Sequence, residues 1–304
     1  MKLRHFIKHK FKDSWENLNS SIKARRWSKN YNGGNRVALA PDGYYVVFED
    51  NFNNPLNLKE WRYSQAWGDF HPDNLTQWYD TTGRLSYVSR DCLVLELRNI
   101  PKTYVKKDLP EWRQKDHLPE KFTIPTGVGM VSSKQGWQYG WFEAWIKLPK
   151  GTPYWPAFWL SGVNSWPPEI DILEAYSKDG DLYAKKGLFG KLKQNRKIQP
   201  NIHYGVEKEG TKEMYGAWDV PVADCTDRFV QYACLWEADR IEIYYDGIRV
   251  FKCTDPKILE HFNTSDAQQS IIINHGYHKG SNKPADESAM IVKSIRVLQK
   301  KSDK

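Results

Sequence analysis

The sequence predicts an all-β fold, a two-layer antiparallel β-sandwich, preceded by a helical extension. Three observations support this prediction: many short runs rich in β-forming residues, Gly, Pro and Asn turns between them, and few long helical periods. The chain has 304 residues, a length that a large sandwich can use as one unit. Its 14 Trp residues and 40% hydrophobic share can build a sizeable core, which excludes a wholly disordered protein.

Residues 1–40 form a basic extension. They hold ten Lys and Arg residues against two acidic residues, so they carry the whole net charge of +8, and the rest of the chain is neutral. A neutral main domain argues against nucleic acid as a partner. Apolar residues recur at steps of three or four, which predicts one face of an amphipathic helix: Leu3, Phe6, Ile7, Phe11, Trp15, Leu18 and Ile22.

Two interpretations of this helix stay open. Basic residues beside an apolar face are typical of a helix that lies on an anionic membrane surface or a partner protein, here through residues 1–26. The interpretation we favour is a helix packed against the chain's own domain, because most amphipathic helices face a core. Residues 27–43 are rich in Asn, Gly and Pro and predict a linker. The domain boundaries are therefore 1–40 for the extension and 41–304 for the sandwich.

No apolar run approaches the roughly 18 residues of a membrane-spanning helix. The first twelve residues carry five Lys or Arg and no apolar block, which is not the pattern of a secretory signal, and localisation is not predicted. The four Cys residues are too scattered for a disulfide framework or a zinc site, so we expect reduced thiols. We expect a monomer without a cofactor.

Ten candidate strands follow the linker, at residues 44–48, 84–97, 140–148, 158–160, 169–175, 229–236, 240–245, 248–253, 270–274 and 289–298. Asp246-Gly247 between two alternating runs is a strong hairpin signal. Residues 101–126 and 185–220 are predicted to be long polar loops, which are more often functional than accidental.

The most specific indication of catalytic chemistry is a group of three carboxylates within six residues, Glu169, Asp171 and Glu174. On a strand Glu169 and Asp171 share a face, whereas strict alternation puts Glu174 on the other. A single β-bulge at Ile172-Leu173 restores its parity, and bulges are common beside active sites. The pattern therefore predicts three carboxylates in one groove.

Gathering like charges is unfavourable for stability, because each raises the pKa of the others. A retaining glycosidase needs such a group, since one carboxylate attacks the anomeric carbon and a second protonates the leaving oxygen. An exposed acidic strand face and a calcium site are the alternatives. Calcium loops, however, favour Asp, Asn and Gly between their ligands rather than large aliphatic residues.

The segment Glu169–Glu174 resembles the Glu-x-Asp-x-x-Glu signature of glycoside hydrolase family 16, in the bulged form shared by laminarinases, agarases, porphyranases and carrageenases. Further stretches resemble family strands in the right order: residues 140–149, 155–160, 232–236, 241–250 and 294–297. The resemblance implies a jelly-roll sandwich of concanavalin A-like type with a concave substrate cleft. It also implies an endo-acting retaining β-glycan hydrolase.

By this resemblance Glu169 is the nucleophile, Asp171 the assisting acid and Glu174 the general acid/base. Three tryptophans match family positions that stack on sugars: Trp155, Trp159 and Trp166. Glu143 and His203 are further candidates for lining the groove. One departure is Pro168, because the family usually has Gly immediately before the nucleophile.

The polysaccharide is predicted from the segment Asn74-Leu75-Thr76-Gln77-Trp78-Tyr79, which is similar to the Asn-Glu-x-Gln-x-Tyr of β-1,3-glucanases. It adds Gln77 and Trp78 to the substrate-binding candidates and favours β-1,3-glucan, although Leu75 replaces the Glu. A β-1,4-galactan of agar, porphyran or carrageenan type is the alternative. The chain also contains a basic run made up of Lys185, Lys186, Lys191, Lys193, Arg196 and Lys197. This run could bind the anionic groups of such a galactan. The interpretation we favour is a solvated loop.

An alternative of another class is a non-catalytic carbohydrate-binding sandwich, since lectins share this fold. The presence of both paired Glu residues argues against it. Many family members hold a structural calcium through two acidic ligands, but the matching positions here are Asn51 and Lys293. We therefore predict no metal.

Overall fold

The structure is a computed structural model that describes residues 2–63, 68–72, 74–151, 153–175, 196–205, 210–216, 220–277 and 286–301. Within these ranges the side chains of residues 2–11 and 196–197 are not described. Of the basic run, Lys185, Lys186, Lys191 and Lys193 lie outside the described residues, as do the side chains of Arg196 and Lys197.

Two α-helices, three 3-10 helices and a series of strands make up the secondary structure of the described residues. The α-helices are α1 (Lys2–Lys29) and α2 (Pro256–Leu259). The strands, in chain order, are β1 (Tyr44–Asp50), β2 (Trp61–Arg62), β3 (Gln77–Tyr79), β4 (Ser86–Val88), β5 (Leu93–Arg98), β6 (Lys102–Val105), β7 (Lys121–Ile124), β8 (Thr126–Val128), β9 (Met130–Trp137), β10 (Gly140–Lys147), β11 (Ala157–Gly162), β12 (Glu169–Glu174), β13 (Arg196–Tyr204), β14 (Glu213–Gly216), β15 (Val220–Val222), β16 (Val230–Glu237), β17 (Arg240–Tyr245), β18 (Ile248–Cys253), β19 (Gln269–Asn274) and β20 (Ser288–Lys300).

The strands form two large sheets, as the sequence predicted. One sheet, here called the outer sheet, has the order β18-β17-β16-β10-β20-β5-β8-β3, with β1 beside β20 and β4 beside β5. The other, here called the cleft sheet, has the order β14-β13-β12-β11-β19-β9-β2, with β15 beside β13. Pairing is antiparallel except between β3 and β8. The mostly antiparallel two-layer sandwich with an N-terminal helix confirms the predicted fold class.

Alternating side chains from the facing strands fill the space between the sheets. Phe142 on β10 and Phe158 on β11 are fully buried in one core cluster, as are Ile170, Ile172 and Leu173 on β12. Because these three aliphatic side chains of β12 are anchored in the core, its remaining side chains must point to the other face of the cleft sheet.

The strand predicted at residues 84–97 is a hairpin. β4 and β5 pair with each other, and the chain reverses at Arg90 and Asp91, whose φ angles are 52° and 53°. Two consecutive residues with positive φ match the twist of a hairpin, but Arg-Asp lacks the Gly or Asn that marks such a turn in a sequence. The prediction of one continuous strand was therefore wrong.

Both predicted long loops contain regular structure. In 101–126, β6 and β7 pair as a hairpin, and their inward Tyr104, Phe122 and Ile124 pack with Phe70 in a small core of their own. In 185–220, β13 extends the cleft sheet beside β12. Charged residues outnumber apolar ones in 101–126 and equal them in 185–220, which hid the strand pattern.

Helix α1 packs against β18 and β15. The helix therefore lies on its own domain, which was the favoured interpretation of the sequence. The face that it buries is not the apolar one. Asp13, Asn17 and Ala24 are at most 4% exposed, whereas Trp15 is 59% exposed and Ile22 is 40% exposed.

In the part of the chain that the structure describes, no helix combines the length and apolar character needed to cross a membrane. All four cysteines are free.

The residues at the family's calcium positions do not suit a calcium ion. Asn51 and Lys293 are exposed, and both oxygens of Asp50 already accept hydrogen bonds, from the Phe52 amide at 2.8 Å and the Trp61 indole at 2.9 Å. A hard cation requires several oxygen ligands, and an ammonium would repel it.

We therefore expect that a chelator leaves the melting temperature unchanged. Differential scanning calorimetry with and without EDTA measures this directly. A drop of several degrees that added calcium reverses would contradict the prediction.

Candidate active site

Strand β12 carries the three carboxylates and contains an irregularity at the predicted place. On its β11 side, Phe158 pairs with Leu173 and Trp159 with Asp171, so Ile172 has no partner of its own. The register with β13 shifts over the same stretch. This extra residue confirms the predicted bulge.

Because of the bulge, all three acidic side chains open into one cavity on the cleft sheet. The cavity holds about 420 Å³ and is lined by His71, Asn74, Gln77, Tyr79, Trp155, Ala157, Trp159, Trp166, Glu169, Asp171, Glu174 and Asn274. Indole rings with a few convergent polar groups are typical of a site that binds sugar rings.

Glu169 is held by two neighbours. The Trp166 indole donates a hydrogen bond of 2.6 Å to Glu169 Oε2, and His203 Nε2 lies 3.4 Å from Oε1. Burial raises the pKa of Glu169 well above its usual range, and the charge of Asp171 raises it further. His203 and the Trp166 hydrogen bond oppose this rise because they favour the ionised form.

Asp171 is the most deeply buried of the three carboxyl groups, at 3% exposed. Its Oδ2 lies 3.2 Å from His203 Nε2, so one imidazole nitrogen faces both Glu169 and Asp171. Burial raises the pKa of Asp171 well above its usual range, and the neighbouring charge of Glu174 adds to the rise. Asp171 is thus suited to hold a proton.

Glu174 accepts two hydrogen bonds. The Trp155 indole donates to Oε1 at 3.1 Å and the Asn201 amide donates to Oε2 at 2.8 Å. Burial raises the pKa of Glu174 above its usual value, although both donors act in the opposite direction. The two donors fix the orientation of the carboxyl group while burial favours its protonated form.

Glu169, Asp171 and His203 each offer a ligand-type atom within 4.8 Å of the others. Glu169 Oε2, however, already accepts the Trp166 hydrogen bond, and the two carboxylates share a single imidazole nitrogen. The donor set therefore suits proton sharing between the three groups rather than the many oxygen ligands of a hard cation.

Two predicted substrate-binding residues lie elsewhere. Glu143 is on β10 of the outer sheet, where it accepts hydrogen bonds from Trp141, Gln231 and Arg296 and is 3% exposed. Its side chain points outward from the sandwich, because Phe142 and Ala144 on either side point into the core. The prediction that Glu143 lines the groove was therefore wrong.

The second prediction that was wrong is that Trp78 binds substrate. It packs in the small core with Phe70 and Tyr104, and its indole donates to the Ile100 carbonyl oxygen at 2.9 Å. Alternation along β3 turns Gln77 and Tyr79 toward the cavity and Trp78 away from it. Gln77 is 2% exposed, and its Oε1 accepts a hydrogen bond from the Tyr277 amide.

Several residues of the site were not among the sequence candidates: His71, Asn74, Tyr79, Asn201 and Asn274. Tyr79 follows from Gln77 by strand alternation. Asn201 follows from His203 in the same way, since β13 places both beside β12. No local pattern marks His71 or Asn274, which reach the cavity through long-range packing.

The chain is similar in sequence and in fold to known glycoside hydrolases. The family model for glycosyl hydrolases family 16 matches residues 74–293. A glucan endo-1,3-beta-glucosidase of Cryptopygus antarcticus is 22% identical over 268 residues, which cover 86% of this chain and 83% of that protein. The solved structure of a mutant of SCLam, described as a non-specific endo-beta-1,3(4)-glucanase, superposes with a TM-score of 0.63 at 25% identity, covering 88% of this chain and 99% of that one.

A shorter match involves endo-1,3-1,4-beta-glycanase EglC of Rhizobium meliloti, at 28% identity over 136 residues. It covers 44% of this chain, and the chain spans only 25% of that relative's length.

Proposed function

Because this chain belongs to glycosyl hydrolase family 16, we propose that it is an endo-acting retaining β-glycanase whose preferred substrate is β-1,3-glucan. The observation that carries the proposal is the convergence of three buried carboxyl groups in one cavity with three indoles in its wall. The names of the relatives support β-1,3-glucan as the polymer.

In the proposed first step, a Glu169 oxygen attacks the anomeric carbon while the bond to the leaving sugar breaks. The result is an ester between Glu169 and the sugar. The Trp166 hydrogen bond and the facing His203 favour the ionised nucleophile and fix its orientation. Asp171 is the assisting acid beside it.

Glu174 supplies a proton to the leaving oxygen in the same step, because burial keeps it protonated at higher pH than an exposed Glu. Once Glu169 is esterified, its negative charge is gone and Glu174 ionises more readily. Glu174 then accepts a proton from the water that cleaves the ester, and the anomeric configuration is retained.

The three indoles divide into two groups. Trp155 and Trp166 each hold one of the two outer carboxyl groups by an N–H donor, so they orient the acids as well as offering ring surface. The Trp159 indole instead donates a hydrogen bond of 2.8 Å to Asn274 Oδ1. A sugar that stacks on these rings buries its C–H faces against them.

A second candidate substrate is a β-1,4-galactan that carries anionic groups. The observation that favours it is the Lys212 ammonium, which lies 3.7 Å from the centre of the Trp166 ring. A cation over a sugar-binding ring pairs with a sulfate or carboxylate on the bound sugar. A neutral glucan offers this ammonium only hydroxyl oxygens and no anionic group.

We expect a substrate panel to distinguish these candidates. Laminarin, mixed-linkage glucan, agarose, porphyran and carrageenan are each incubated with the enzyme and with a Glu169→Gln control, and new reducing ends are measured. The fastest release from laminarin, with a ladder of oligosaccharides at early times, is the expected result. Fastest release from a sulfated galactan selects the second candidate, and none from any polymer supports a non-catalytic sandwich.

A further inference from the structure

Helix α1 is attached to the domain through its polar side. The Asn17 amide donates to the Lys252 carbonyl oxygen at 3.0 Å, and the Lys252 amide donates to Asn17 Oδ1 at 2.7 Å. The Thr254 amide donates to Asp13 Oδ2 at 2.6 Å. Lys252 lies on β18, which is the edge strand of the outer sheet.

An edge strand exposes backbone N–H and C=O groups that require partners. Asn17 pairs with both groups of Lys252, as a neighbouring strand would. Closing an edge in this way needs polar side chains, which explains why the helix turns its polar face inward.

As a consequence, the apolar stripe of the helix is left facing outward. Trp15 and Ile22 are exposed, and Leu18 between them is half-buried. They are spaced by three and four residues, so they lie on one side of the helix. The sequence continues the same spacing toward the N-terminus with Phe11 and Ile7.

Charge on this helix is sorted between the same two sides. Within residues 12–29 the acidic residues are Asp13 and Glu16, and both face the domain, with Glu16 paired to Arg249 at 3.0 Å and Lys252 at 3.3 Å. Every exposed charged residue of that stretch is basic: Lys12, Lys23, Arg25, Arg26 and Lys29. The outward side is thus apolar along its middle and positive along its borders.

We propose that this outward face of α1, defined by Trp15, Leu18 and Ile22 with the bordering basic residues, docks on an anionic lipid bilayer. The apolar side chains enter the boundary between headgroups and acyl chains, and the basic side chains meet the lipid phosphates. A second copy of the chain is disfavoured as the occupant, because it would bring two positive faces together.

Vesicle flotation of the full chain tests the proposal. Vesicles of phosphatidylcholine mixed with phosphatidylglycerol are compared with vesicles of phosphatidylcholine alone. We expect the protein to float with the anionic vesicles only, and raised salt to release it, since its attraction to headgroups is screened.

Three variants separate the components of the face. Trp15→Glu is expected to weaken binding to anionic vesicles by about tenfold or more, because it places a charge in the apolar stripe. Lys23→Glu combined with Arg26→Glu is expected to act in the same direction. Trp112→Glu is the matched control, since that indole is also 53% exposed but lies far along the chain.

All variants should melt at the wild-type temperature, because the substituted side chains are exposed. Equal flotation with neutral vesicles, or wild-type binding by Trp15→Glu, would overturn the proposal. A dimer in size-exclusion chromatography that Trp15→Glu dissociates would also overturn it, by showing a second copy as the occupant.

Discussion

Replacing either Glu169 or Glu174 by Gln is expected to lower kcat by about a thousandfold or more, since each change removes a reacting group from the proposed mechanism. Glu169→Gln removes the charge that attacks the anomeric carbon. Glu174→Gln removes the proton donor to the leaving oxygen. Both substitutions nearly preserve side-chain volume, so the fold should be retained.

Reducing-end release from the best polymer of the panel measures the loss, and circular dichroism checks the fold. Glu60→Gln is the matched control, because Glu60 is an exposed carboxylate that does not line the cavity. It should retain wild-type activity. If Glu169→Gln or Glu174→Gln hydrolyses the polymer at a rate near that of the wild type, the assignment of the carboxylates fails.

Asp171→Asn is expected to make the folded protein more stable at neutral pH while lowering its activity. Its pKa is raised in the folded state because it is buried beside Glu174. As pH increases past the ordinary carboxyl range, the unfolded chain loses this proton first, so folding stability decreases until the folded carboxyl group ionises too. The amide of an Asn side chain has no such proton to lose, so the variant avoids this decrease in folding stability.

The gain should amount to about 1–3 kcal/mol at neutral pH and vanish in acid below the ordinary pKa of Asp, where both states are protonated. Urea unfolding across that pH range measures it. The control is Asp116→Asn, at an exposed position, which should change little at any pH. A destabilised Asp171→Asn protein at neutral pH would contradict the stated electrostatic cost.

Glu174→Gln is less suitable for this stability measurement. Its amide group replaces one of the two oxygens that accept from Trp155 and Asn201. A donor would then face a donor, and the lost hydrogen bond would offset the relief of the buried charge.

The sequence was most informative where the alternation of side chains between the two faces of a strand decided the local structure. Three acids spaced Glu-x-Asp-x-x-Glu among large aliphatics reach one face only through a bulge, and β12 has that bulge. Parity along a strand does not reveal which face lies against the cavity. Glu143 and Trp78 illustrate this, since each is on a strand next to core residues but points away from the cleft.

Helix α1 shows a second limit. Its apolar stripe was expected to face the domain because burial of apolar surface dominates most packing. The open edge of β18 instead requires hydrogen-bond partners, which Asp13 and Asn17 provide. An edge that needs polar partners arises from the assembled sheet, so the helix sequence alone does not indicate it.

The most direct test of the central claim, that Glu169 is the nucleophile and Glu174 the acid/base, is the configuration of the products that azide forms with two variants. An aryl β-glycoside of the oligosaccharide released from the best polymer serves as substrate. In Glu169→Ala, azide should occupy the vacated place and attack the sugar directly, giving the α-glycosyl azide. In Glu174→Ala, azide should attack the ester on Glu169 and give the β-glycosyl azide. Proton NMR of the two products distinguishes these configurations, and the same configuration from both variants, or the reverse pair, would contradict the account.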